Sequence, residues 1–263
     1  MSDDKITRAA ALISKQRLAL TPIDLPADLR PESEAQGYRL QVVANAELAA
    51  AGLGALVGHK IGCTTPVMQA FLGIHAPCSG EVFASTVAHE RARLRAKDYR
   101  RVGVECEIVV TLARDITPGE APFDKEKVGR AVGAVMAGIE IVDDRYADYK
   151  SFGVPSLIGD NFFNAGSVLG KPVADWRQLD LAALKGRTLI NGVEVGSGHG
   201  AMVLGHPFEA LAWLANARAA RRLGLKRGEF VFLGSLVETK WLSAGDHVRI
   251  EIEQLGPLEV DVE

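Results

Sequence analysis

The stretch RRVGVECEIVVTL, Arg100 to Leu112, carries two glutamates two residues apart inside an otherwise apolar, β-branched run. Such a run reads as a strand, and side chains on a strand alternate faces. Glu105 and Glu107 therefore project from one face, with Cys106 and Ile108 on the other. Like charges on one face repel, and burying them is costly unless something positive lies between them. Either that face is wet or paired with an arginine, such as Arg100 or Arg101, or it holds a cation. Glu140 raises the same question, since it sits between Gly138-Ile139 and Ile141-Val142 in VMAGIEIVDDRY. Three carboxylates from apolar segments suit a hard divalent cation such as Mg²⁺ or Mn²⁺, which takes oxygen ligands and leaves positions for water or substrate. A solvated Glu-x-Glu strand face is the ordinary alternative.

Lys60, in VGHKIGCTT, stands between apolar and glycine residues at a strand end. Partial burial there lowers an amine's pKa and lets it move protons near neutrality, whereas a lysine that snorkels to solvent does neither. His59 falls on the opposite face of the same strand and reads as structural.

These residues need elements to hold them. Residues 3–17 have helical periodicity and lead into a proline-bearing linker, TPIDLPADLRPES. A second helix is expected from Pro31 to about Ala50, with Glu32 and Glu34 near its positive end. LVGHKIGCT reads as a short buried strand. TPVMQAFLG reads as a short helix with Thr65 at the N-cap, Pro66 at N1 and Gly73 at its end. Glu81 to Leu112 is mainly strand, and Asp124 to Met136 has a helical pattern running into AGIEIVDD. A glycine-rich loop, SFGVPSLIGDN, then precedes the strand AGSVLG. Asn191-Gly192 between apolar runs marks a hairpin over 187–196. HPFEALAWLANARAARRLG is a helix with basic residues in its last turn, and the tail is a series of strands. Helices first and strands later, without a βαβ rhythm, indicate an α+β fold on a mixed, partly closed sheet.

Composition excludes several classes. The chain has 263 residues, 48% hydrophobic and 24% charged, with a net charge of −3 and a pI near 6.1. That balance argues against general affinity for nucleic acid or membrane surfaces. Cys63, Cys78 and Cys106 are too few and scattered for a disulfide framework or thiolate metal site. MSDDKITRAAALISKQ has no signal-peptide core, and LAAAGLGALVG falls short of the roughly 20 residues needed to span a bilayer. A cytoplasmic location is expected.

The segments GHKIGCTTPVMQAFLGIHAPCSG, VECEI, GIEIVDDR, GDNFFNAGSVLG, LGHPFEALAWLAN and LGSLVE…AGD follow one another in a familiar order and spacing. From about Gly37 onward the chain resembles the 2-keto-4-pentenoate hydratase and 4-oxalocrotonate decarboxylase family, within the fumarylacetoacetate hydrolase superfamily. The resemblance implies a mixed β-sheet roll with flanking helices, a Mg²⁺ or Mn²⁺ ion and a homo-oligomer. The chain is expected to divide into an N-terminal helical segment, 1–50, and a metal-dependent catalytic domain, 51–263, within one continuous fold. Carried over, it makes Glu105, Glu107 and Glu140 metal ligands and Lys60 the proton shuttle.

The implied chemistry is that of aromatic-compound catabolism. A 2-oxo acid chelates the cation through its carboxylate and its keto or enol oxygen, and the cation stabilises the enolate charge. A hydratase ketonises 2-hydroxypenta-2,4-dienoate and adds water, whereas a decarboxylase reaches the same dienolate by losing CO₂ and an acylpyruvate hydrolase splits a carbon–carbon bond. Two positions depart from the pattern. Cys78 occupies the place where hydratases of the family typically carry an acid, and Phe162 and Phe163 stand where small residues are usual. With Asp160 and Asn161 they are candidates for the substrate pocket, and His75 and His199 are candidate replacement bases. A catalytically silent, oligomeric binding protein that kept the metal is the rival of a different class.

Overall fold

A computed structural model describes residues 1–263. The chain opens with two helices, α1 (Asp3–Leu18) and α2 (Glu34–Leu48). Ser2 and Ser33 cap them, each hydroxyl accepting from a backbone N–H of the first turn. The second helix begins at Glu34 and not at Pro31, because Ser33 is the residue able to supply that cap. Strand β1 (Leu56–Gly62) leads into α3 (Pro66–Leu72), where Thr65 accepts from the Met68 N–H and Gly73 closes the helix at a left-handed φ of 66°.

Next come β2 (Cys78–Phe83), β3 (Val87–His89), β4 (Arg91–Leu94) and the long β5 (Val102–Leu112). Here one expectation fails. The helix read over 124–136 is only α4 (Lys125–Gly129), and from Val132 the chain is β6 (Val132–Asp143). A central strand buried on both faces is uniformly apolar, so periodicity does not separate it from a buried helix. Antiparallel pairing with β5 along almost its whole length decides for strand. The chain continues through α5 (Val154–Gly159), β7 (Asn164–Leu169), the hairpin β8 (Lys185–Ile190) and β9 (Val193–His199), and α6 (Pro207–Ala220). Strands β10 (Phe230–Trp241), β11 (His247–Ile252) and β12 (Gly256–Val262) complete it.

The strands form a seven-stranded mixed sheet, β2-β1-β10-β5-β6-β7-β3, and a five-stranded one, β4-β12-β11-β8-β9. One face of the larger sheet packs on the smaller. Cys106, Ile108, Val110, Ile139 and Leu236 join Val248, Ile250, Leu258 and Val260 in a single core, closed at one end by Leu211 and Leu214 of α6. Gly186 of β8 comes so near that a Cβ there would lie 3.0 Å from the Cys106 sulfur. The opposite face of the larger sheet carries Glu105 and Glu107. Near it lies a separate core in which α1, α2 and α5 bury Ile13, Leu40 and Leu157 together with Cys63, Cys78, Tyr146 and Phe162. No helix is long and apolar enough to cross a membrane.

Candidate metal centre

Strand alternation puts Glu105 and Glu107 on one face of β5, and the β5–β6 register sets Glu140 directly opposite Glu105. Residues opposed in this way have neighbouring side chains on one face. One carboxylate oxygen from each of the three lies within 4.8 Å of the others. Glu107 and Glu140 are fully buried and Glu105 is partly so. Strand β1 pairs in parallel with β10, itself beside β5, and brings Lys60 Nζ to 3.2 Å from Glu140 Oε1.

Each carboxylate has one uncharged donor. Thr239 Oγ1 donates to Glu105 Oε1, the Gly234 N–H donates to Glu107 Oε2 at 2.7 Å, and Asn164 Nδ2 donates to Glu140 Oε1 at 3.0 Å. Glu107 Oε1 and Glu140 Oε2 are buried with no hydrogen-bond partner. Orphaned buried oxygens on ionisable groups are unfavourable, so these two oxygens fit a positively charged ligand. The donor set is all oxygen, which matches a hard divalent cation.

Burial, reinforced by Glu140, raises the Glu105 carboxyl above the ordinary range; burial with Glu140 and Glu105 raises Glu107 well above it. Of the two sequence readings of Lys60, snorkelling to solvent fails because the side chain is buried, and a lowered pKa is not what its surroundings give. Burial does pull it down, but Glu140, Glu105 and Glu107 outweigh burial and the net shift is upward. Fully ionised, three acids facing one lysine carry an excess of negative charge, which is what raises Glu105 and Glu107 beyond the effect of burial.

The remaining candidates scatter. The Phe162 ring lies 5.0 Å from Lys60 Nζ, a cation–π distance, and Phe163 meets it edge-on and packs on Tyr146 and Tyr149. Cys78 is opposite Gly62 on the neighbouring strand and fully buried, and burial pushes its thiol far up. Burial likewise pushes Cys63 up to about 12. Asp160 is held between Arg17 and Arg145, and Asn161 is bonded through its side chain to the Glu81 backbone. His75 and His199 are exposed. His59 is buried with Glu229 and Arg218, on the strand face away from Lys60. Sequence reasoning missed Thr239, Gly234 and Asn164 as partners of the carboxylates. Asn164 left a faint signal as a polar residue opening a buried strand; a backbone N–H such as that of Gly234 leaves none.

A mixed-sheet fold of this kind is that of a known family. Residues 77–263 match the family described as fumarylacetoacetate (FAA) hydrolase C-terminal, and the chain belongs to that family. It is 33% identical over 262 residues to a 2-keto-4-pentenoate hydratase of Paraburkholderia phymatum, covering 97% of each chain. It is 35% identical over 208 residues to a 2-hydroxyhexa-2,4-dienoate hydratase of Comamonas testosteroni, covering 78% of this chain and 77% of the other. In fold it is similar to a 4-oxalocrotonate decarboxylase of Pseudomonas putida solved with magnesium and adipate. That match has a TM-score of 0.93 at 24% identity, over 100% of this chain and 99% of the other. The α+β fold expected from the sequence is the fold of these relatives.

Proposed function

We propose that the protein is a divalent-metal-dependent lyase acting on 2-oxo acids, of the 2-keto-4-pentenoate hydratase type. The observation that carries this reading is the convergence of Glu105, Glu107 and Glu140 within 4.8 Å, with Lys60 Nζ 3.2 Å from Glu140. In this reading the three glutamates hold Mg²⁺ or Mn²⁺. A cation held there would supply positive charge for a substrate's carboxylate and 2-oxygen and would offset the negative field of the three glutamates around Lys60. Lys60 is then the acid/base: it takes the 2-hydroxy proton of 2-hydroxypenta-2,4-dienoate and returns a proton to C5, giving the 2-oxo-3-enoate. Water adds at C4 to yield the 4-hydroxy-2-oxo acid. Phe162 screens the amine from solvent on one side and favours an apolar substrate tail.

A second reading, a 4-oxalocrotonate-type decarboxylase, is favoured by Cys78. A fully buried thiol with its pKa pushed far up is neutral and cannot deprotonate a water, and loss of CO₂ needs no such base. An acylpyruvate carbon–carbon hydrolase needs an attacking water and has the same difficulty.

The setting proposed is a cytoplasmic homo-oligomer in aromatic-compound catabolism. Three free, buried cysteines support a reducing compartment, and exposed Val67, Met68 and Phe71 on α3 support self-association. The test is incubation of the Mg²⁺- or Mn²⁺-loaded protein with 2-hydroxypenta-2,4-dienoate and with a 2-oxo-enedioate, products identified. Metal-dependent formation of the 4-hydroxy-2-oxo acid is expected, and CO₂ release without it would select the second reading. Metal binding with no turnover of either would instead leave the silent binding protein.

A further inference from the structure

Glu140 receives its uncharged hydrogen bond from Asn164, and Asn164 is reached through an unusual piece of backbone. Asn161, Phe162 and Phe163 have φ of 66°, 48° and 66° in succession. Non-glycine residues adopt this left-handed conformation singly, not in runs, so the surroundings must impose it. They do so from several sides. The Phe162 N–H donates to Leu157 O at 2.8 Å, the Asn161 side chain accepts from the Glu81 N–H at 2.7 Å, and the Asp143 N–H donates to Phe163 O at 3.0 Å. Gly80 lets the turn lie close on β2, where a Cβ would come within 2.6 Å of Asn161 O.

The end of the turn is gripped by two buried guanidinium groups. Arg145 Nη2 and Arg17 Nη2 both donate to the Asn164 carbonyl, the latter at 3.4 Å, and Asp160 fixes both arginines at 3.0 and 3.3 Å. A continuous chain of bonds therefore runs from α1 to Glu140.

We propose that Asn164 is the positioning residue for Glu140 and that Arg17, on α1, sets the place of Asn164 through its carbonyl. The inference rests on the reading of Glu140 as a metal ligand. Asn164 Nδ2 occupies Glu140 Oε1, and Oε2 stays buried with no hydrogen-bond partner. A ligating carboxylate held in this way has its orientation chosen before the cation arrives. The N-terminal helix thereby becomes a working part of the site, although it contributes no ligand.

The experiment measures Mn²⁺ affinity, the Mn²⁺ EPR line shape and thermal stability for the full-length protein, Asn164→Leu and Arg17→Met. Partners of ligating residues are worth roughly 10–100-fold in metal affinity, so Asn164→Leu is expected to weaken Mn²⁺ binding by at least ~10-fold and to alter the line shape. Arg17→Met is expected to shift both in the same direction by less. Wild-type affinity and line shape in Asn164→Leu would overturn the proposal, even with a lowered melting temperature, since that is the outcome of a merely structural role. An effect of Asn164→Leu without any from Arg17→Met would overturn the part assigned to α1. If Asn164→Leu does not fold, Asn164→Asp keeps the shape and exchanges the donor for a fourth carboxylate, and an unchanged line shape there would be equally fatal. Absence of Mn²⁺ binding by the wild type is a separate result and would remove the metal reading itself.

Discussion

Two buried ionic clusters lie a few residues apart in this protein and are built on opposite principles. Around Asp160, Arg17 and Arg145 each give a hydrogen bond to the carboxylate and another to the Asn164 carbonyl, and Asp143 lies 3.8 Å from Arg145. Burial, then repulsion from Arg145, lowers Arg17 to about 10, with Asp160 opposing; it stays protonated at neutral pH. There the charges balance, two arginines against Asp160 and Asp143, and both Asp160 oxygens are partnered. Around Glu140, three acids face one lysine and two carboxylate oxygens have no partner. Buried charge is thus balanced in the first cluster and left unbalanced in the second, the one proposed to hold a cation. Burial alone does not separate the two, because both clusters are buried. The count of charges and unused lone pairs does.

The comparison breaks hardest at Asp160. Removing the acid leaves buried Arg17 with no carboxylate and Arg145 with only Asp143 at 3.8 Å, so Asp160→Ala is expected to cost ~3–5 kcal/mol in urea unfolding. A loss under ~1 kcal/mol would mean that water replaces the carboxylate and the cluster is not closed. Lys60→Met probes the other cluster. It should keep the fold and metal affinity while lowering turnover by ~100-fold or more, the scale of a lost general acid–base group. Near-normal turnover would make Lys60 a structural counterion like Arg145.

Glu107→Gln tests the imbalance directly and should abolish metal-dependent activity. In the metal-free protein its effect on stability has the opposite sign and depends on pH. The folded state binds the Glu107 proton more tightly than the unfolded chain, since burial with Glu140 and Glu105 raises its pKa. Stability from this group is therefore fully present below the ordinary carboxylate pKa of ~4.3 and is lost as pH rises through the higher folded value. The variant should melt above the wild type at pH 8 by a few degrees, with the gap shrinking toward pH 5. A variant that melts lower at every pH refutes the repulsion. The smallest effect expected is from Cys78→Asp, a modest gain in hydration of 2-hydroxypenta-2,4-dienoate. If the wild type already hydrates it as well as the variant, the thiol position does not govern the reaction.

Period-two alternation within one strand is a local property, so the shared face of Glu105 and Glu107 was legible in the sequence, as were the Thr65 cap, the Gly73 stop and the Asn191-Gly192 hairpin. The family resemblance was legible for the same reason, being carried by short segments in order. What depends on register and topology was not. Glu140 meets Glu105 through the β5–β6 register, Lys60 arrives by the parallel pairing of β1 with β10, and Arg17 reaches Asn164 across 147 residues of chain. Nothing local in the sequence distinguishes β6 from a buried helix, because burial on both faces erases the alternation that would mark it. The direction of the Lys60 pKa shift was likewise a tertiary matter. Its own neighbours in sequence predict burial, while the three carboxylates that outweigh burial come from two other strands. Sequence alone fixed which groups could do chemistry; the sheet decided which of them meet, since a strand specifies its faces but not its partners.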